Sequence, residues 1–281
     1  MTKKTLKNEK STLVRKLKEQ DNANSKGFHY RWRHTGEMRG SGIKTRLFCE
    51  KAALGELHLM SEAQHAEFLA GWYRNDVKVI YEHVALDRDK TQRAAASIDV
   101  PHPIYPRIGY AAVLSTDLVY VTERGALHNR EAKSVKSYSR RTEGRLTRSQ
   151  RIEQKTWEAD GASYSVVRAN GMHASCSKNL AWIFRAYNDT YKRKLSDGEI
   201  VAQHEFLRLV RRQKGMRVIE ACRLIDRTFA LAAGSGVRAF RQLAGAKLLA
   251  FDLTVLDPLN LRLEEIWRPK PDKERTLGRS S

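Results

Sequence analysis

The spacing of apolar residues along this chain shifts from sparse, to mixed two- and 3.6-residue periods, to helical. Residues 1–26 carry scattered leucines among Lys, Asn, Ser and Glu. So thin an apolar content does not offset the entropy of ordering, and a mobile basic arm is expected. Residues 27–41 interleave aromatics with arginines, a mixture suited equally to base stacking with phosphate contact and to an ordinary surface loop. Two short strand-like pieces follow within residues 44–59. Ser61 is a favoured helix N-cap, and Ala63, Ala66, Phe68, Leu69 and Trp72 fall at helical spacing behind it. Asn75-Asp76 ends that helix, and the β-branched run from Val77 predicts a strand. Residues 87–106, with charges, alanines and three prolines, read as a loop outside the core. Residues 114–122 and 127–135 predict two strands joined at Arg124-Gly125, where a hairpin needs a residue tolerant of positive φ. A helix over residues 147–159, stopped by Gly161, and a strand from Ser163 complete an α/β pattern with a mixed central sheet.

Beyond the polar boundary at residues 168–177 the period turns helical. Helices are expected over residues 179–188, from Ser196-Asp197 to about Gln213, over residues 216–232, and briefly after Gly234-Ser235-Gly236. The runs L-L-A-F-D-L and L-R-L-E-E-I predict a β-hairpin around Asp257-Pro258, and helices plus hairpin make the layout of a winged helix-turn-helix. The expected organisation is an arm (1–26), an α/β domain (27–168), a winged-helix domain (169–267) and a basic tail (268–281) read as disordered.

The 281 residues, 41% of them hydrophobic, suffice for two cores, and 52 basic against 32 acidic side chains leave a net charge of +20. That excess points to a polyanion, nucleic acid foremost. No apolar run approaches the roughly 18 to 20 residues of a membrane span, and the basic opening lacks the apolar segment of a secretory signal, so a cytoplasmic location is expected. Cys49, Cys176 and Cys222 lie far apart and form no zinc or disulfide pattern. His83, His102 and His128 lack ligand spacing. Trp72, Trp157 and Trp182 sit on apolar helix faces and read as core.

Candidate chemistry falls on the hairpin. Asp117 lies on its first strand, and Glu131 and Lys133, two apart on the second, point to one face. If Asp117 joins them, two carboxylates could hold a hydrated Mg²⁺ while the lysine positions or helps deprotonate a water. An exposed amphipathic hairpin with incidental charges is the competing reading. Lys136, Arg140, Arg141 and Arg145 form a candidate clamp on a DNA backbone, with a solvated loop as the rival, and Arg238 and Arg241 on the short helix favour phosphate contact.

The order of elements, with D on one strand and E-x-K on the next, resembles the restriction-endonuclease-like PD-(D/E)xK core. More narrowly, residues 27–267 resemble the TnsA family, endonuclease subunits of heteromeric cut-and-paste transposases. The match is carried by S-E-A-Q-H-A-E-F-L from Ser61, V-x-V-I-Y-E-H from Val77, S-T-D-L-V-Y around Asp117, E-A-K at Glu131, N-L-A-W-I near Asn179 and I-E-A-C-R-L-I-D from Ile219. The resemblance implies a Mg²⁺-dependent nuclease, with Mn²⁺ as a substitute, that cuts the 5′ ends of a transposon in double-stranded DNA. It also implies a TnsB-like DDE transposase cutting and joining the 3′ ends, and a TnsC-like AAA+ ATPase contacting the C-terminal domain. The family's aspartate falls on Asp117, its lysine on Lys133, and the strand residue two before it on Glu131. Its helix glutamate falls on Gln64, a neutral amide and a weaker ligand for Mg²⁺. Three accounts stand: Gln64 ligates through its carbonyl while Glu131 supplies charge, Glu67 or Glu62 substitutes, or the site is impaired. A non-catalytic DNA- or partner-binding adaptor and a stand-alone nuclease are the alternative functions.

Overall fold

Four strands build the sheet that carries the expected chemistry. In the computed structural model, which describes residues 3–26, 28–37, 43–124, 127–136, 145–169 and 172–269, the chain divides into two units, Met1–Gly171 and Met172–Ser281. The first contains α1 (Lys3–Ser25), β1 (Thr45–Phe48), β2 (Glu56–Leu59), α2 (Glu62–Tyr73), β3 (Val77–Ala85), α3 (Arg88–Ser97), β4 (Ser115–Arg124), β5 (Leu127–Lys136), α4 (Arg148–Ala159) and β6 (Ser163–Arg168). The sheet order is β3-β4-β5-β6, with β1 and β2 forming a separate pair. The pairs β3/β4 and β4/β5 are antiparallel and β5/β6 is parallel, so the expected mixed sheet is present. The parallel step follows from α4, a crossover of helical length between β5 and β6. Ser61 caps α2 by accepting the Gln64 N–H, and Thr147 caps α4 in a reciprocal capping box with Gln150. The hairpin turn expected at Gly125 lies outside the described residues.

Two segments of this unit differ from expectation. The arm is a helix: Leu13 is buried beside Trp32 and Val113, with Leu17 packed against them. The Lys16 ammonium donates to the Trp32 carbonyl and lies over its ring. A narrow leucine stripe suffices once a formed surface receives it, which an isolated reading of composition does not count. The expected loop at residues 87–106 contains α3, where Asp87 caps the helix and Thr91, Ala94 and Ala95 are buried. Its alanines, read together with the charges and prolines as loop, are the strongest helix formers.

The second unit comprises α5 (Ala174–Asn188), α6 (Asp197–Arg212), α7 (Val218–Thr228) and α8 (Ser235–Gly245), followed by 3₁₀ turns at Pro258–Asn260 and Leu263–Glu265. Phe240 on α8 stacks on Phe206 and meets Trp182 and Phe251. The expected β-hairpin is not formed. The nearest approach to one is an isolated bridge between Ala250 in the first run and Trp267, just past the second. The Asn179 amide instead donates to the Leu253 and Val255 carbonyls, and Leu261 and Leu263 bond to the backbone around the start of α7. Side-chain and loop partners thus satisfy the backbone groups a hairpin would have paired. The expected disordered tail lies outside the described residues but for its first two.

Candidate active site at the end of the sheet

Asp117 sits where β4 and β5 part. Their last pair is Leu118 with Lys133, and β5 then runs on to Lys136 alongside β6. On the other side Glu82 pairs with Leu118 and Val84 with Thr116, which places His83 opposite Asp117. His83 has a left-handed backbone, φ 47°, uncommon for a side-chain-bearing residue. The side-chain alternation breaks here. Thr116 accepts the indole N–H of Trp157 on α4, and Val119 packs in the same α4-side cluster, although the two are three residues apart. Tyr120 faces α2, donating to the Glu67 carbonyl. With the alternation interrupted, Asp117 turns to the first turn of α2.

There the Asp117 carboxylate, 4% exposed, is surrounded by donors. Oδ1 accepts the Gln64 Nε2 amide at 3.0 Å. Oδ2 accepts the Val135 backbone N–H at 2.8 Å and the Lys136 Nζ at 3.3 Å. Gln64 is fixed from its other end, because its Oε1 accepts the Met60 N–H at 2.7 Å. Turning the amide over would set N–H against N–H and oxygen against carboxylate, so the hydrogen bonds dictate its orientation.

The expected convergence of Asp117, Glu131 and Lys133 is not what this arrangement brings together. Glu131 pairs across the ladder with Tyr120 and Lys133 with Leu118. Arg74, at the end of α2, grips both Glu131 oxygens at 2.7 and 2.9 Å while also holding Asp76. Lys133 Nζ lies 3.8 Å from Glu131. Glu67 belongs to this second group: its pKa is raised by burial and held back by Lys133. Glu62 is exposed. Among the described residues no hydrogen bond or ion pair joins Asp117 to Glu131 or Lys133. Lys136, expected as a backbone clamp, is the lysine at Asp117.

One acid near Asp117 escaped the sequence reading. Glu153 on α4 is buried, accepts the Thr116 hydroxyl at 3.3 Å, and is pushed up to about 7 by burial, with the Asp117 charge adding to the rise. No motif marks it; its position facing the apolar side of a helix was the available signal. His83 is pulled down to about 4 by burial, against the Asp117 charge that raises it, so it stands neutral beside the site.

Of the other candidate DNA contacts, Arg140 and Arg141 lie outside the described residues. Arg145 and Arg238 are exposed. Arg241 donates to the Trp182 carbonyl at 2.8 Å and lies 5.0 Å over its ring, an internal engagement. Among the described residues no three acidic, histidine or cysteine side chains cluster as metal ligands, and no helix is long and apolar enough to cross a membrane. The residues at Asp117 do not fit Mg²⁺ as arranged: Gln64 offers N–H rather than oxygen, and Glu131 is held by Arg74. Hard cations take oxygen ligands.

A mixed sheet flanked by helices and a separate helical unit make an α/β protein with a helical C-terminal part, an architecture consistent with a nuclease core. The family model described as TnsA endonuclease C terminal matches residues 173–253. Over 242 residues, 86% of this chain and 85% of the relative, the sequence is 22% identical to the transposon Tn7 transposition protein TnsA of Escherichia coli.

Proposed function

We propose that this chain is the DNA-cleaving subunit of a Tn7-type transposition system, working at transposon ends beside a DDE-type transposase and an AAA+ ATPase. The observation that carries the reading is the Asp117–Lys136 pair at the end of the sheet, in a chain similar to TnsA over most of its length. Its reaction is phosphodiester hydrolysis. Asp117 can orient or take a proton from the attacking water, and Lys136, half exposed, can reach from Asp117 to the charge that develops on the phosphate. The net charge of +20 favours DNA as the substrate. The cut at the 5′ end expected from the resemblance is part of the proposal; the Mg²⁺ dependence would need oxygen ligands beyond Asp117, which the phosphate oxygens of bound DNA can supply.

The adaptor reading is favoured by one observation, the Gln64 amide aimed at Asp117. Cleavage of end-bearing DNA in the presence of the system's own transposase and ATPase separates the two. Asp117→Asn and Lys136→Ala are expected to lose cutting by about 100-fold or more with DNA binding nearly unchanged, and Lys133→Ala to retain most of it. Cutting by Asp117→Asn at the wild-type rate overturns the assignment. Absence of cutting by the wild type, with joining of 3′ ends still dependent on it, establishes the adaptor.

A further inference from the structure

Gln64 does two things at once. It stands third after the Ser61 cap, where an S-x-x-Q sequence places an amide able to reach back over the helix start, and its oxygen takes the Met60 N–H. Its nitrogen donates to Asp117. A glutamate of the same length could keep the Met60 bond with one oxygen, and the other would then face Asp117 Oδ1 across the 3.0 Å now spanned by a hydrogen bond. Two carboxylate oxygens so placed repel each other unless a cation lies between them. In this chain the amide and the Lys136 ammonium meet the Asp117 charge instead.

From this geometry we infer that Gln64 locks the Asp117 site in a metal-free form: without DNA, this chain holds no divalent cation there, and the single change Gln64→Glu creates a cation site. The inference rests on Asp117 as the functional acid, but it concerns binding rather than cutting, so it can fail while the nuclease reading survives, and the reverse.

Thermal unfolding of the full chain, with and without millimolar Mn²⁺ at matched ionic strength, tests it. The wild type is expected to show no saturable Mn²⁺-dependent rise in Tm. Gln64→Glu is expected to melt several degrees lower without Mn²⁺, from carboxylate repulsion, and to recover that loss saturably as Mn²⁺ is added. Gln64→Glu combined with Asp117→Asn, which removes one of the two facing charges, is expected to lose the recovery. Isothermal calorimetry of Mn²⁺ into the same three proteins at a temperature where all are folded gives the second measurement. Saturable binding by the wild type that disappears in Asp117→Asn overturns the inference, as does a Gln64→Glu protein that is folded and gains no Mn²⁺ binding.

Discussion

Glu153 is 6% exposed and sits behind the Asp117 strand. Its folded pKa of about 7 lies above the ordinary 4.5, so the folded state holds the proton more tightly than the unfolded one. The stabilisation from that proton is complete below pH 4.5 and is lost as pH rises through about 7. Glu153→Gln keeps an acceptor for Thr116 and cannot ionise. Relative to this variant, the wild type is expected to lose roughly 2–3 kcal/mol between pH 5 and 8, read from the change in the difference of urea midpoints. A difference that stays constant with pH refutes the assignment. Side-chain chemistry was partly legible at this scale. The S-E-A-Q and S-T-D segments marked Gln64 and Asp117, which the fold brings together. The lysine was not legible: E-A-K at residues 131–133 drew the assignment to Lys133 through its acid, whereas S-V-K at 134–136 ends on Lys136, the lysine that reaches Asp117. Choosing between them requires the break in alternation opposite His83, a backbone event that no spacing rule contains.

Helix α2 packs on β4, and Gly71 lies against Tyr120 there. A Cβ added there would lie 2.4 Å from the Tyr120 ring, and Tyr120 is buried with its hydroxyl tied to the Glu67 carbonyl at 2.8 Å. The ring has little freedom to retreat, so Gly71→Ala is expected to destabilise by about 1–3 kcal/mol through overpacking. Gly36→Ala, with nothing within 4 Å of the added carbon, serves as the near-neutral comparison; equal urea midpoints for the two variants contradict the packing argument. Most elements could be read in advance because periodicity and caps agreed: Ser61, Thr147 and Ser196 each accept from the expected first turn. Two of the misread elements, the hairpin and the arm, were decided by partners distant in sequence. The runs at residues 248–253 and 261–266 read as a hairpin, yet Asn179 and the start of α7 bond to the backbone of this stretch, and α1 is held by Trp32 and Val113 rather than by its own sequence.

Across the whole molecule the governing quantity is charge. An excess of 20 positive charges predicts DNA affinity that falls steeply with salt, log K against log salt having a slope of about −0.9 per phosphate neutralised on a duplex. Bulk charge does not say which side chains make the contacts, but burial sorts the candidates. On α8, Arg238 is exposed, whereas burial lowers the pKa of Arg241, whose guanidinium is bonded to Trp182. Arg238→Ala is expected to reduce the magnitude of the salt slope by roughly 1 with stability unchanged. Arg241→Ala is expected to lower thermal stability, by leaving the Trp182 carbonyl and ring without their partner, and to move the slope little. Anisotropy of a labelled end duplex across a salt series, with Tm measured on the same preparations, distinguishes the two. If Arg241→Ala flattens the slope as Arg238→Ala does and melts like the wild type, then Arg241 leaves Trp182 to meet phosphate, and the division between internal and DNA-facing arginines on α8 is wrong.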